Sequence, residues 1–182
     1  MFAQKLFKRL TLRRFAKARS GSAAVEFALV LAPFFLLTFA LAEVAMIGFA
    51  QTSLDNGVSR IARLVRTGQA QMGGLGEAQI KARLCQEMSS LLAVDCAANL
   101  FLDVNRFASF TAASQNNSPI QNGEFQEAGF SYRDTQPSDI VVVRAYYRWQ
   151  VMTPMFQPVF QNVNGGKRIL VATMMFRNEP YQ

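Results

Sequence analysis

One long apolar run stands near the beginning of the chain. Residues 27–42 read FALVLAPFFLLTFALA, sixteen residues without a charge, and Glu26 and Glu43 bound them. A transmembrane helix needs about 20 mostly apolar residues, which the run reaches when it is extended to residue 50. Because a helix rises about 1.5 Å per residue, Glu26 and Glu43 fall near the two faces of a bilayer. The pattern therefore predicts a transmembrane helix over residues 22–50.

The helix is predicted to continue beyond the membrane. Apolar residues recur at spacings of seven, four, three and four, which is one stripe of a helix: Ile47, Leu54, Val58, Ile61 and Val65. We expect this stripe to pack on the protein's own folded domain, with packing against neighbouring subunits as the alternative. The glycine-rich residues 68–76 break the helix, and a second apolar stripe predicts another helix over residues 77–92.

After residue 96 the spacing of the apolar positions changes to two. Three segments rich in Val, Ile, Phe and Tyr are predicted to be strands: residues 100–110, 139–152 and 168–176. Residues 124–132 are a weaker strand candidate, residues 113–123 read as a polar loop, and residues 153–164 are predicted to hold a short helical turn. Helices first and strands afterwards are typical of an α+β fold. We predict a small antiparallel sheet packed on helices, after a long amino-terminal helix.

The net charge of +7 lies in one segment. Residues 1–20 hold seven Lys and Arg residues and no acid, whereas the rest of the chain holds twelve basic and twelve acidic residues. A basic segment beside a transmembrane helix stays in the cytoplasm, so the residues after the span face outward, which in a bacterium means the periplasm. The folded domain is then neutral, and we expect no nucleic-acid binding. Tyr146, Tyr147 and Trp149 stand beside Arg144 and Arg148, a pattern that can indicate stacking on nucleic-acid bases. The alternation of a β-strand explains the same pattern, and we prefer that interpretation.

The chain is accordingly divided into four segments. Residues 1–21 are a basic cytoplasmic leader, and residues 22–50 are the transmembrane helix. Residues 51–72 are the periplasmic extension of that helix, and residues 73–182 are a periplasmic α+β domain. Pro33 lies within the span, where proline removes one hydrogen bond and kinks the axis. We therefore predict a helix kink at Pro33.

Cys85 and Cys96 are the only cysteines of the chain. An even pair of cysteines in an oxidising periplasm is expected to form a disulfide. Ten intervening residues do not make a redox motif, and two thiols without a histidine make a poor zinc site. A turn near residues 93–95 would bring Cys96 back to the helix that holds Cys85.

No arrangement of residues in the sequence is typical of an enzyme. The chain has no histidine, which excludes histidine metal ligands and histidine general bases. It has no phosphate-binding glycine loop, no nucleophile elbow and no dinucleotide-binding fingerprint, and its acidic residues are scattered singly. We therefore predict a protein without catalytic activity, cofactor or metal.

Several fates of the amino terminus compete. The chain could remain whole as a membrane anchor. A secretory signal peptidase could cut after Ala42, because Ala40-Leu41-Ala42 is a small-x-small site, although the apolar run is longer than in most signal peptides. A twin-arginine export signal is supported only by the pair Arg13-Arg14.

Residues 20–27, which read SGSAAVEF, are similar to a class III (prepilin) signal. In that signal a glycine ends a basic leader, cleavage follows it, and a glutamate is the fifth residue of the mature chain. The resemblance implies cleavage between Gly21 and Ser22, and Glu26 is then the fifth residue. A carboxylate in an apolar segment is costly unless it is paired. An α-amino group freed at Ser22 of an adjacent subunit is a suitable partner, and a Glu26 side chain that reaches the membrane interface is the alternative.

The wider stretch over residues 20–68 resembles the amino-terminal region of TadE-like proteins, which are pseudopilins of the tight-adherence (Flp, type IVc) pilus system. The resemblance rests on these features: Gly21, residues 25–29 (VEFAL), Pro33, Glu43, the pair Ala62-Arg63 before Thr67-Gly68 and, more loosely, the ending FRNEP at residues 176–180. It implies a minor pilin of the bacterial inner membrane, processed by a prepilin peptidase.

A protein of that family is expected to act structurally, in pilus initiation, assembly or capping. Its expected partners are other pilin and minor pilin subunits and the inner-membrane assembly platform. Two alternatives stay open, an uncleaved membrane-anchored scaffold of the same machine and a protein secreted after Ala42.

Overall fold

The computed structural model describes residues 21–88, 95–114 and 118–181. The predicted leader, apart from Gly21, lies outside these residues. The chain divides into two compact units, residues 1–42 and residues 43–182. Helix α1, Ser22–Arg66, contributes residues to both units and continues through Pro33. The predicted long amino-terminal helix is thereby confirmed.

In the first unit most apolar side chains of α1 are exposed. The exposed large side chains between Val25 and Leu41 range from 45% at Phe35 to 71% at Leu29, whereas Leu31 is partly buried. Within the described parts of the chain, α1 is the helix that is long and apolar enough to cross a membrane, and no residue of its most apolar window is buried. Its length and composition are therefore compatible with a single-pass membrane anchor.

In the second unit the predicted stripe of α1 packs into the core. Leu54, Val58, Ile61 and Val65 are at most 2% exposed, and Ile47 is partly buried against them. Full burial of such a side chain stabilises the fold by about 1.5–3 kcal/mol. The expectation that the stripe packs on the protein's own domain is confirmed.

The described residues contain five further helices: α2 (Gln69–Met72), α3 (Glu77–Glu87), α4 (Cys96–Asn99), α5 (Phe110–Ser114) and α6 (Gln157–Phe160). Helix α3 confirms the predicted second helix, and it buries Ile80 and Leu84 in the core. The predicted continuation over residues 89–92 lies outside the described residues. Arg60 of α1 forms an ion pair with Glu87 at the end of α3.

The described strands are β1 (Leu100–Phe107), β2 (Ile120–Gln121), β3 (Glu124–Phe125), β4 (Ile140–Gln150) and β5 (Lys167–Arg177). The main sheet has the order β1-β4-β5, and both pairs are antiparallel. Successive residues of a strand point to opposite faces, so Val143 and Ala145 of β4 join the core with α1, while Tyr146 lies in a second cluster. The three main strand predictions and the α+β architecture are confirmed.

The weaker strand prediction, residues 124–132, is confirmed only at Glu124–Phe125 and at Tyr132, which forms an isolated bridge with Val104. Strands β2 and β3 form a two-residue hairpin, and the chain then enters a 3-10 turn at Glu127–Gly129. Asn122 and Gly123 have φ angles of 52° and 75°, which suit a tight hairpin turn between twisted strands. The predicted polar loop therefore contains the end of α5 and strand β2, and its residues 115–117 lie outside the described residues.

An aromatic cluster covers the face of the sheet that lies away from α1. Phe101, Phe125, Phe130 and Tyr146 have ring centroids 4.8–6.3 Å apart. Burial raises the pKa of Tyr146, and the nearby Arg144 acts in the opposite direction. Tyr147 and Trp149, which follow on β4, are buried in the main core. Strand alternation therefore accounts for these aromatic residues, as expected.

Gly57 is the point of close contact between α1 and α3. A Cβ atom built on Gly57 would lie 2.6 Å from Cδ1 of Leu84, whereas one built on Gly48, on the exposed side of the same helix, meets nothing within 4 Å. We expect Gly57→Val to destabilise the fold by about 1–3 kcal/mol through overpacking. Gly48→Val should change stability by a few tenths of a kcal/mol, as helix propensity predicts.

Unfolding of the full-length protein in detergent micelles checks this prediction. Trp149 is the single tryptophan of the chain and is buried, so its fluorescence reports on the second unit. Equal unfolding midpoints for the two valine variants would contradict the close packing at Gly57.

Candidate functional site

The predicted cleavage residues lie together where α1 begins. The helix starts at Ser22, directly after Gly21. The hydroxyl of Ser22 donates a hydrogen bond of 2.8 Å to the Glu26 carboxylate, one turn further along. Gly21, Ser22 and Glu26 are all exposed, and a Cβ atom on Gly21 would meet nothing within 4 Å. The structure thus presents the Gly21–Ser22 bond and the Glu26 carboxylate on one accessible turn.

The sequence of α1 offers Glu26 no basic partner nearby. From Gly21 to Arg60 the chain has no Lys or Arg. A carboxylate near a helix amino terminus is favoured by the helix dipole by about 0.3–1 kcal/mol, which is small beside the cost of placing a charge in lipid. A further positive group must therefore come from elsewhere if Glu26 is to be fully paired in a membrane.

Pro33 is accommodated inside α1 without ending the helix. A proline has no N–H to donate, so the carbonyl of Leu29 loses its usual helical partner. Five residues later the hydroxyl of Thr38 donates to the carbonyl of Phe34 over 2.9 Å. The polar group of this threonine is thereby satisfied within the helix, as an apolar environment requires.

Glu43 has a role that the sequence analysis did not predict. Its side chain is 0% exposed and accepts three hydrogen bonds of 3.0 Å from the segment after β4. The donors are the backbone N–H groups of Met152 and Thr153 and the hydroxyl of Thr153. Hydrogen bonds to a charged acceptor are about twice as strong as neutral ones. We call this arrangement the Glu43 clamp.

The position of Glu43 in the helical pattern is a signal that could have revealed the clamp. Glu43 lies four positions before Ile47, and the stripe then continues through Ala50, which is fully buried, to Leu54. Residues at these spacings share one face of a helix. Glu43 therefore lies on the buried face of α1. The sequence analysis had placed it near the face of a bilayer because of its charge and its distance from Glu26.

The two cysteines are joined in the structure. Cys85 of α3 and Cys96 of α4 form a disulfide with their Cα atoms 5.9 Å apart. The bond closes a short loop, of which residues 89–94 lie outside the described residues. The turn predicted at residues 93–95 therefore lies outside them as well, apart from Asp95. Closing a loop of this size stabilises a fold by about 3 kcal/mol in the chain-entropy model.

The chain ending around residues 176–180 is fixed to the carboxyl end of α1. The carboxylate of Glu179 accepts hydrogen bonds of 3.0 and 2.8 Å from the Arg66 guanidinium, and the N–H of Glu179 donates to the Arg66 carbonyl over 2.9 Å. Asn178 is buried and donates to the Thr135 hydroxyl and the Gln136 carbonyl. These bonds give the FRNEP ending a structural role in closing the end of α1.

Within the described residues there is no group of three or more metal-binding side chains. The interactions that distinguish this chain are instead the exposed Ser22–Glu26 pair and the buried Glu43 clamp. In each arrangement a carboxylate accepts hydrogen bonds from nearby donors, and this geometry fits structural roles for both carboxylates.

Removal of the Glu43 carboxylate is expected to destabilise the second unit. Glu43→Ala removes the acceptor of three donors, and a fully buried donor without an acceptor costs about 1–3 kcal/mol. Because Met152 is exposed and Thr153 is only partly buried, water replaces part of the loss, so we expect a loss of roughly 2–4 kcal/mol in total. Glu43→Gln keeps the shape of the side chain and one oxygen, so its free energy of unfolding should lie between those of the wild type and Glu43→Ala. Trp149 fluorescence during denaturation of the full-length protein measures the change.

The matched control is Glu124→Ala, because Glu124 is exposed in the β2–β3 hairpin. Exposed substitutions of this kind change stability by no more than about 0.5 kcal/mol. If Glu43→Ala were as stable as Glu124→Ala, the clamp would not hold the segment after β4.

Comparison with known proteins bears on the amino-terminal part of the chain. No curated protein and no solved structure matches the sequence. A family model described as TadE-like protein matches residues 21–63, about a quarter of the chain, from the predicted cleavage glycine to a point inside the buried stripe. The resemblance seen in the sequence is confirmed over this region, which is similar to TadE-like proteins.

Proposed function

We propose that this protein is a minor pilin, or pseudopilin, of a tight-adherence (Flp, type IVc) pilus. A prepilin peptidase cuts it after Gly21, and the mature subunit acts structurally in pilus initiation, assembly or capping. The TadE-like match supports association with such a pilus. The observation that carries the proposal is the exposed Ser22–Glu26 pair at the first turn of an exposed apolar helix.

The membrane anchor is proposed to be residues 22–42. At about 1.5 Å per residue these twenty-one residues extend about 30 Å, the thickness of the hydrocarbon core. Residues 43–50, which the sequence analysis included in the span, belong to the second compact unit, where Glu43 and Ala50 are buried. With the basic leader in the cytoplasm, this second unit lies in the periplasm.

Cleavage after Gly21 changes the charge at the start of α1. The new terminus is the α-amino group of Ser22, which is positively charged at neutral pH. In the uncut chain the Ser22 hydroxyl already donates to Glu26, so the carboxylate has spare acceptor positions but no positive charge beside it. The freed amine of an adjacent subunit supplies that charge in the membrane and fixes how the two helices are aligned.

The exposed part of α1 is also the surface left for other pilin subunits. The buried stripe of the second unit is occupied by the protein's own core, whereas most apolar side chains between residues 25 and 41 are exposed. Helices of neighbouring pilin and minor pilin subunits, gathered by the inner-membrane assembly platform, would cover them in a fibre.

An uncleaved membrane-anchored scaffold of the same machine is the second candidate. The Ser22–Glu26 hydrogen bond favours it, because the hydroxyl partly satisfies the carboxylate without any new amine. Secretion after Ala42 has less support, since that cut lies inside α1, directly before the Glu43 clamp.

The mature amino terminus distinguishes these candidates. We expect the protein purified from membranes of its own bacterium to begin at Ser22. Gly21→Val should retain Met1, because a larger side chain blocks the peptidase while it meets nothing within 4 Å in the fold. Amino-terminal sequencing and intact mass measure both. A wild-type chain beginning at Met1 would support the scaffold, and one beginning at Glu43 would support secretion.

Glu26→Gln is expected to abolish or strongly reduce pilus assembly, because the neutral amide has no charge to pair with the Ser22 amine. Membrane insertion should be unchanged, since a neutral residue is easier to place in lipid. The measurement compares protein in sheared pili with protein in the membrane fraction. Ser22→Ala is the matched control, because it removes the hydroxyl and keeps both the amine and the carboxylate. Normal pili from Glu26→Gln would contradict the pairing.

A further inference from the structure

The segment between β4 and β5 exposes apolar side chains and carries no charged residue of its own. We call this segment, residues 151–166, the β4–β5 connection, and it contains no Asp, Glu, Lys or Arg. Met152, Met155 and Val159 are 55%, 69% and 72% exposed. Three large exposed apolar side chains within eight residues mark a surface that contacts something other than water.

The β4–β5 connection is held firmly from its inner side. Val151, Phe156 and Val163 are buried, so the exposed side chains are fixed on an ordered backbone. The N–H of Val151 donates to the Gly166 carbonyl, and Arg168 donates to the Phe160 carbonyl over 2.9 Å. The exposure of the three apolar side chains is therefore a property of the folded unit.

The Glu43 clamp determines where this surface lies. Glu43 is the first residue of the second unit and follows Ala42 directly in the chain. Its carboxylate is 3.0 Å from the backbone nitrogens of Met152 and Thr153. The start of the connection is thus held within one side-chain length of the first residue of the second unit.

Two apolar residues of α1 that follow Glu43 in the chain are exposed as well. Val44 and Phe49 are 52% and 53% exposed, and no charged residue lies between Glu43 and Asp55. An uncharged, apolar surface at this position is suited to the headgroup and acyl boundary of a bilayer.

We propose that the β4–β5 connection rests in the interface of the membrane that residues 22–42 span, with Met152, Met155 and Val159 in contact with lipid. The inference rests on the proposed membrane anchor and adds a second point of contact with the bilayer. Because the segment carries no charge, its contact with lipid does not depend on anionic headgroups. A second copy of the chain is the competing occupant of this surface.

Site-specific fluorescence in the full-length protein tests the proposal. Both native cysteines are bonded to each other, so one added cysteine carries an environment-sensitive label. Met155→Cys and Val159→Cys report on the connection. Met72→Cys, 62% exposed, is the matched control, because it follows the carboxyl end of α1, about 35 Å along the helix from Glu43. Leu37→Cys, 60% exposed, reports on the anchor.

The labelled proteins are reconstituted at low density in phosphatidylcholine vesicles that contain a lipid with a nitroxide on the upper acyl chain. We expect loss of emission at positions 37, 155 and 159 and no loss at position 72. Quenching at 37 without quenching at 155 and 159 would overturn this inference and leave the anchor intact. No quenching at 37 would overturn the anchor and the inference with it.

Two further outcomes concern the occupant and the lipid. Labels at 155 and 159 that are shielded only at high protein density, without lipid quenching, would identify a second copy on this surface and overturn the proposal. Quenching that required anionic lipid would indicate that Lys167 and Arg168 bind the headgroups, and this result would also overturn the proposal. Met155→Glu is expected to abolish quenching at position 159, whereas Met72→Glu should not change it.

Discussion

The buried carboxylate of Glu43 stands at the point where helix α1 begins to take part in the core of the second unit. A charge is kept in a protein interior only when hydrogen bonds or an opposite charge compensate it. Here two backbone N–H groups and a hydroxyl supply that compensation, each over 3.0 Å. Because these donors follow β4 directly, the clamp also holds one end of the central strand against the helix. The packing of the sheet on α1 depends on this contact.

Both ends of the α1 segment in the second unit are fixed by polar contacts to late parts of the chain. Glu43 contacts residues that lie 109 and 110 positions later, and Arg66 contacts Glu179, 113 positions later. Between these two points the helix buries its apolar stripe against the sheet. Polar bonds at the ends determine alignment along the helix, which apolar packing alone specifies weakly because one turn resembles the next.

The sequence was sufficient where structure depends on local periodicity. The stripe of α1, helix α3 and the three main strands follow from spacings of 3.6 or two residues. It was insufficient where partners are remote. Nothing near Glu43 indicated its donors, and Glu43 appeared as an interfacial charge although it lies on the buried face. The β2–β3 hairpin was missed because two strands of two residues each show no periodicity, although Asn122-Gly123 is a turn signal.

The two glutamates at the ends of the apolar run differ in whether their carboxylate is accessible to another subunit. Glu43 is enclosed and accepts three hydrogen bonds inside its own chain, so it has no exposed oxygen for another subunit. Glu26 is exposed and accepts one hydrogen bond, from a neighbouring hydroxyl. In the pilin role that we propose, assembly through a carboxylate of this helix would therefore depend on Glu26, whereas Glu43 stabilises the fold of its own chain. On this view the family pattern with two glutamates combines one residue for association with one residue for the fold.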